Sequence, residues 1–135
     1  MEKIRLIIAD DHALVRESWS TVLNSYSRFA VVAQCSTAEE AVETTKKLSP
    51  RVVIMDVNLP EMNGIEATRQ IVNADCGAIV LGFSTHGEAR YARKIMQAGA
   101  MGYVTKNSSR EELFKAIEEV VAGRKYICKE LKDIL

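Results

Sequence analysis

Five polar residues of the sequence could together carry out metal-dependent phosphoryl chemistry. Three are the carboxylates Asp10, Asp11 and Asp56, and the others are the hydroxyl of Ser84 and the ammonium of Lys106. Three converging carboxylates repel one another unless a cation lies among them, and a small set of oxygen ligands suits Mg²⁺. A lysine and a hydroxyl can hold the oxygens of a phosphoryl group, and an aspartate can accept that group as an acyl phosphate. This chemistry requires the chain to bring all five residues to one place.

Five continuously apolar segments predict the strands that would position these residues. They are Ile4 to Ala9, Ala30 to Cys35, Val52 to Met55, Ala78 to Phe83 and Met101 to Thr105. Continuous apolarity is typical of strands buried on both faces of a parallel sheet. Asp10, Asp56, Ser84 and Lys106 each follow one of these segments directly, so they should meet at the carboxyl edge of the sheet.

Segments with helical spacing of apolar residues alternate with the strands. Two of their starts carry capping boxes, Thr37 with Glu40 and Ser109 with Glu112, and Gly99 stands where a helix should end. Five strands in strict alternation with five helices predict an α/β fold, a doubly wound five-stranded parallel sheet with helices on both faces.

Length and composition bound the class of protein. The chain has 135 residues, enough for one domain, with 47% hydrophobic and 27% charged residues. Eighteen basic and eighteen acidic residues give zero net charge, so we expect no direct binding to nucleic acid or membrane. We expect the N-terminus not to act as a signal peptide, no apolar run is long enough to span a membrane, and three scattered cysteines suit a reducing cytoplasm.

Four short motifs carry a resemblance to a known family. They are "IIADDH", "VVIMDVNLPEMNGIE", "VLGFST" and "GYVTK", in this order and each at a predicted strand end. Together they resemble the receiver domain of response regulators, the phosphorylatable module of two-component signalling. The resemblance covers nearly the whole chain and implies a CheY-like fold with strand order 2-1-3-4-5.

The resemblance implies a role for each acidic residue of the site. Asp56 would be the phosphoacceptor, and Asp11 and Asp56 would be direct ligands of Mg²⁺. Asp10 would act mainly through metal-bound water, and the backbone carbonyl of Asn58 would complete the protein ligands. The side chain of Asn58 cannot titrate as a general acid, so we expect slow hydrolysis of the acyl phosphate rather than rapid turnover, and no other enzyme activity.

The resemblance also implies a switch and residues that tune its rates. Ser84 and Lys106 would hold phosphoryl oxygens, and Tyr103 would pack inward once Ser84 has moved toward the phosphoryl group. Thr85 is larger than the residue usual at its position and would narrow access to the site. His86 stands where a side chain can influence hydrolysis of the acyl phosphate.

Further strings narrow the subgroup. "ADDHALVRE", "GIEATRQI", "AGAMGYVTKNSS" and "AIEEVVAGRKYICKEL" resemble the NarL/FixJ group, whose receivers precede a helix-turn-helix DNA-binding domain. We therefore expect a receiver over residues 1–122 and the start of a linker over 123–135. The implied partners are a sensor histidine kinase, a second copy of the chain on activation, and DNA through a C-terminal domain only.

Two alternatives and one anomaly stand beside this interpretation. The chain could be a stand-alone receiver that acts through protein contacts, or, less well supported, an aspartyl-phosphate phosphatase of the haloacid dehalogenase type. Gly82 lies inside a predicted buried strand, where glycine is costly and the sequence gives no reason for it. His12 and Trp19 receive no role.

Overall fold

The structure, a computed structural model, describes residues 2–57, 59, 63–84 and 89–132. Its strands are β1 (Ile4–Ala9), β2 (Phe29–Cys35), β3 (Val52–Asp56), β4 (Ile79–Ser84), β5 (Gly102–Thr105) and β6 (Tyr126–Ile127). Its helices are α1 (Ala13–Asn24), α2 (Ala38–Leu48), α3 (Gly64–Ala74), α4 (Ala89–Gln97), α5 (Arg110–Val121) and α6 (Lys129–Lys132). Over these ranges, every helix is too short or too polar to cross a membrane.

All described strands join one parallel sheet in the order β2-β1-β3-β4-β5-β6. The predicted α/β class and the order of the first five strands are confirmed, but the predicted count of five strands and five helices is wrong. The sixth strand, β6, is too short to show a hydrophobic period. It pairs through the backbone, because the N–H groups of Tyr126 and Cys128 donate to the carbonyls of Met101 and Tyr103 at 3.1 and 3.0 Å.

The central strands are buried on both faces, as their continuous apolar sequences predict. Every residue of β3 is buried, and every residue of β1 is buried except Arg5. Each predicted strand matches an observed one to within one residue at either end. The hydrophobic pattern therefore fixes where the strands lie, and with them the sheet edge that receives the polar residues.

The first residue of each predicted capping box caps a helix, but the glutamates do not complete the boxes, since Glu40 accepts from the N–H of Ser36 and Glu112 from Tyr126 and Lys129. Thr37 Oγ1 accepts a hydrogen bond from the N–H of Glu40 at 3.1 Å, and Ser109 Oγ accepts one from the N–H of Glu112 at 3.1 Å. Gly99 has a φ of 115° just after α4, a conformation that favours glycine, so the predicted helix end is also confirmed.

Neighbouring residues of β4 show that helices cover both faces of the sheet. The Phe83 ring meets the ring of Trp19 on α1 edge to face, with 5.9 Å between centroids. Gly82, whose position points to the opposite face, lies against Ile95 of α4. Helices α1 and α4 therefore lie on opposite sides of β4, as a doubly wound sheet requires.

At the amino edge of the sheet, two arginines bind the ends of helices. Arg5 Nη1 donates to the carbonyls of Leu48 and Ser49 at 2.7 and 3.2 Å, at the end of α2. Arg51 Nη2 donates to the carbonyl of Val121 at 3.1 Å, at the end of α5. These carbonyls have no partner within their helix, so the guanidinium groups satisfy them and complement the negative helix ends.

Candidate functional site

The five polar residues singled out in the sequence lie at the carboxyl edge of the sheet. Asp56 and Ser84 end β3 and β4, and Asp10 and Lys106 directly follow β1 and β5. Asp10, Asp56 and Ser84 are almost completely buried, whereas Asp11 keeps 35% of its side chain exposed. Parallel strands deliver these residues to one edge although they are far apart in the sequence.

Lys106 places an ammonium group among the carboxylates of this edge. Its Nζ atom lies 2.6 Å from Asp10 Oδ2 and 3.3 Å from Asp56 Oδ2, and only 8% of its side chain is exposed. The Lys106 backbone N–H donates to the carbonyl of Ser84 at 2.7 Å, which fixes where the side chain starts. One ammonium can neutralise only one of the carboxylates around it, so a second cation could still be neutralised by the site.

Four side chains form a cluster that could hold a metal ion. Asp10, Asp11, His12 and Asp56 each offer a ligand atom, and these atoms lie within 4.8 Å of one another. Asp10 Oδ2 is buried and lies against the Lys106 ammonium, which also faces Asp56. Buried carboxylates that share one ammonium keep excess negative charge, and a bound cation would neutralise it. The residues present therefore fit a divalent cation that prefers oxygen ligands.

His12 belongs to this site, although the sequence analysis gave it no role. Its Nδ1 atom lies 3.3 Å from Oδ1 of both Asp10 and Asp11, and its backbone N–H donates to Asp10 Oδ1 at 2.8 Å. The second contact fixes the Asp10 carboxylate at the start of α1. The signal available in the sequence was only the position of His12 directly after the acidic pair.

Gly64 is a second residue that the sequence analysis missed. A Cβ atom on Gly64 would lie 2.0 Å from the backbone oxygen of Asp56, which is far inside van der Waals contact. The Gly64 N–H donates to the carbonyl of Val57 at 3.0 Å, and the Val57 N–H donates to the carbonyl of Phe83 at 3.1 Å. Helix α3 can start this close to Asp56 only because position 64 has no side chain.

Ser84 and Tyr103 are in contact beneath the site. Tyr103 is fully buried, and its hydroxyl is hydrogen-bonded to that of Ser84. Burial raises the pKa of Tyr103 to about 12, and the hydrogen bond with Ser84 partly opposes this effect. The ring therefore lies inward in this structure, next to the hydroxyl that faces the carboxyl edge.

Three residues with predicted roles lie outside the described residues. They are Asn58, with its backbone carbonyl as a metal ligand, and the rate-tuning positions Thr85 and His86. Their roles stay predictions.

The segment after α5 packs against the neighbouring end of the sheet. Glu112 Oε2 accepts hydrogen bonds from the Tyr126 hydroxyl and the Lys129 N–H, both at 2.9 Å. Burial alone would raise the pKa of Glu112, but these hydrogen bonds, with one from Ser108, outweigh it and lower the pKa. Cys128 is fully buried, and burial raises the pKa of its thiol. The segment thus packs as part of the sheet.

Comparisons with known proteins agree with this geometry. The chain matches the family described as the response regulator receiver domain over residues 6–118. It is 38% identical over 125 residues to the transcriptional regulatory protein DegU of Brevibacillus brevis, across 93% of this chain and 53% of DegU. It is 35% identical over 132 residues to the response regulator GacA of Pseudomonas aeruginosa, across 98% of this chain and 62% of GacA.

A solved structure shows the same agreement in three dimensions. It is a two-component response regulator of the LuxR family from Aurantimonas sp. SI85-9A1, 39% identical, with a TM-score of 0.92 over 98% of this chain and 94% of that chain. The chain spans 53% of the length of DegU and 62% of that of GacA. These matches and the arrangement of the carboxyl edge favour a receiver over the haloacid dehalogenase alternative. The solved structures that it resembles include response regulators of the LuxR and NarL type, and the chain belongs to the response regulator receiver domain family.

Proposed function

We propose that Asp56 accepts a phosphoryl group from a sensor histidine kinase and that this modification switches the output of the protein. The observation that carries the proposal is the position of Asp56 Oδ2, 3.3 Å from the Lys106 ammonium and inside a cluster suited to a divalent cation. An oxygen of Asp56 attacks the phosphorus, and a P–O bond forms as the P–N bond to the donor imidazole breaks. The imidazole leaves with the electrons of that bond.

We assign the cation as Mg²⁺. Asp11 and Asp56 are the proposed direct ligands, with the backbone carbonyl of Asn58, and Asp10 acts mainly through metal-bound water. When bound, Mg²⁺ supplies positive charge to the phosphoryl oxygens. The cluster supports this assignment, since Asp10 and Asp56 share the ammonium of Lys106 and Asp11 adds a further carboxylate, so excess negative charge remains among the ligand atoms.

Lys106 and Ser84 are the proposed partners of the remaining phosphoryl oxygens. The Lys106 ammonium already lies within reach of Asp56, so it can neutralise charge that arrives there. Movement of the Ser84 hydroxyl toward the phosphoryl group changes its contact with Tyr103. The Ser84 and Tyr103 pair is thus the proposed two-state element that carries the signal to the surface of α4, β5 and α5.

Incubation with acetyl phosphate and Mg²⁺, followed by intact-mass measurement, tests the acceptor. We expect one added phosphoryl group, removed by hydroxylamine, and its slow loss on standing. Asp56→Asn should take up none, whereas Asp75→Asn, which changes an aspartate at the end of α3, should behave like the unmodified chain. Equal uptake by Asp56→Asn and the unmodified chain would show that the acceptor is another residue.

The output of the whole protein is also a proposal. DegU is named a transcriptional regulatory protein, and this chain spans 53% of its length. We propose a receiver over residues 1–122 and the start of a linker over 123–135, which packs against the receiver through β6 and leads to a helix-turn-helix domain, through which alone the protein reaches DNA. A cytoplasmic location agrees with the free thiols of Cys35, Cys76 and Cys128.

We further propose that phosphorylation favours a homodimer. Sedimentation of the chain with Mg²⁺, with and without beryllofluoride, tests this directly. We expect the monomer to shift toward dimer when beryllofluoride is present. A monomer under both conditions, at concentrations where Asp56 is fully modified, would contradict dimerisation through this part of the protein.

A further inference from the structure

Gly82 occupies a regular position in the middle of β4. It pairs with Met55 on one side and Tyr103 on the other, and its backbone is not in the left-handed region that favours glycine. Glycine weakens a strand, because it adds backbone freedom to the unfolded chain and packs no side chain. A requirement for space, rather than for an unusual backbone conformation, must therefore explain why position 82 is a glycine.

The neighbours of Gly82 show which groups use that space. A Cβ atom at position 82 would lie 3.0 Å from Cδ2 of Tyr103 and 3.0 Å from Cγ2 of Ile95. Both distances are shorter than ordinary van der Waals contact between carbon atoms. The Tyr103 ring and the Ile95 side chain therefore fill the volume that a side chain at position 82 would take.

The backbone around this contact has little freedom to adjust. Tyr103 and Ile95 are both fully buried, and Tyr103 is paired on both edges of its strand. On the side away from Gly82, the N–H of Cys128 donates to the Tyr103 carbonyl at 3.0 Å. An added methyl group would therefore act on the side-chain torsions of Tyr103 and Ile95, which are softer than the paired strands.

We propose that Gly82 is a positioning residue of the switch, since the absence of a side chain there admits the Tyr103 ring to the inward position where its hydroxyl meets Ser84. The inference rests on the proposed function, because Gly82 can act on the switch only if the Ser84 hydroxyl binds the phosphoryl group. The Tyr103 ring is in equilibrium between an inward and an outward position. A side chain at position 82 shifts this equilibrium toward the outward position without touching any residue that binds the phosphoryl group.

Photo-CIDNP NMR of the tyrosines tests this placement, because it enhances only rings that solvent can reach. In the unmodified chain without a phosphodonor, Tyr103 should be silent, whereas Tyr26, 38% exposed, should be enhanced. Gly82→Ala should add a Tyr103 signal comparable with that of Tyr26 and leave the Tyr26 signal unchanged. Ile95→Ala is the matched control, because it loosens the same contact without filling it, and it should leave Tyr103 silent.

A folded Gly82→Ala chain in which Tyr103 stays silent would overturn the proposal, as would equal exposure of Tyr103 in Ile95→Ala. If Gly82→Ala does not fold, the double variant Gly82→Ala with Ile95→Ala tests whether space at position 82 is the reason. Removal of the Ile95 side chain gives the new methyl group room, so the double variant should fold with Tyr103 silent. A double variant that also fails to fold contradicts the space argument.

Beryllofluoride with Mg²⁺ separates this inference from the proposed function. In Gly82→Ala it should suppress the Tyr103 signal, since movement of Ser84 toward the ligand gives the inward ring more room. A Tyr103 signal that persists in a chain whose Asp56 is modified would show that this ring position is not part of the switch. Failure to modify Asp56 in the unmodified chain contradicts the proposed function instead, and the spectra without a phosphodonor still support or overturn the placement by Gly82.

Discussion

The two edges of the sheet accommodate charge in opposite ways. At the amino edge, Arg5 and Arg51 donate to carbonyls at the ends of α2 and α5, and both side chains remain exposed to solvent. At the carboxyl edge, Asp10, Asp56 and Lys106 are buried against one another, and two carboxylates share one ammonium. The charges of the first edge are satisfied within the folded chain, whereas the second keeps excess negative charge.

This difference separates charges that stabilise the fold from charges that bind. A guanidinium group on a helix end gains hydrogen bonds and loses little hydration. Carboxylates buried side by side cost free energy in the folded chain, and a cation or a modification recovers it. The comparison therefore predicts that changes at the carboxyl edge alter phosphorylation, and that changes at the amino edge alter stability alone.

The largest expected effect follows loss of the cation at the carboxyl edge. Lys106→Met removes the ammonium that contacts Asp10 and Asp56, so we expect phosphoryl uptake from acetyl phosphate to slow by about 10²-fold or more. Intact-mass measurements against time give the rate. Lys115→Met, an exposed position of α5, is the control and should react like the unmodified chain. Similar rates for both variants would break the proposed division between the edges.

Substitution of two glycines, one near each edge, sharpens the comparison. Gly64→Ala forces a methyl group against the Asp56 carbonyl, and we expect a loss of about 3 kcal/mol in the free energy of unfolding together with slower phosphoryl uptake. Gly77 precedes β4 in open space with a φ of 83°, so Gly77→Ala should cost about 1 kcal/mol from its backbone alone. Denaturant unfolding measures both. Unchanged uptake in Gly64→Ala would count against its role beside Asp56.

A change at the amino edge should affect stability alone. Arg51→Ala removes the hydrogen bond to Val121, and because the pair is exposed we expect a loss of about 1 kcal/mol. Urea unfolding gives this value, and the rate of phosphoryl uptake should equal that of the unmodified chain. A slower uptake in Arg51→Ala would show that the two edges are coupled.

The smallest effect concerns Glu112. Like those of Arg5 and Arg51, its side chain makes its hydrogen bonds to groups within the folded chain. Because its pKa is lowered, the contribution of Glu112 to the free energy of unfolding is complete above the ordinary pKa of 4.5. It is lost as the pH falls through the lowered pKa. We expect Glu112→Gln to cost less than about 1 kcal/mol at pH 7, since solvent screens the group. The difference from the unmodified chain should shrink below pH 4.5. A difference that grows as the pH falls would contradict a lowered pKa of Glu112.

Much of the fold could be predicted, because its information is local in the sequence. Apolar runs located β1 to β5 to within one residue, and the caps at Thr37 and Ser109 needed only residues three positions apart. Strand β6 could not be predicted in this way. Its two residues have no period, and Glu112, which the pattern assigns to a helix cap, also anchors Tyr126 and Lys129 much later in the chain.

The candidate site divides along similar lines. Strand ends predicted that Asp10, Asp56, Ser84 and Lys106 would share an edge, and the structure places them there. The tight approach of Gly64 to Asp56 and the fit of Tyr103 beside Gly82 depend on distances between elements that no spacing along the chain encodes. Such contacts become visible only when the packed strands and helices are seen together.

Strand β6 also has a consequence for solubility. It occupies backbone acceptors along one side of β5, because the N–H groups of Tyr126 and Cys128 donate to the carbonyls of Met101 and Tyr103. An open strand edge is a template on which another chain can pair, and short protected edges are a common defence against aggregation. Loss of this two-residue strand would leave β5 as an open edge, prone to edge-to-edge association between copies of the chain.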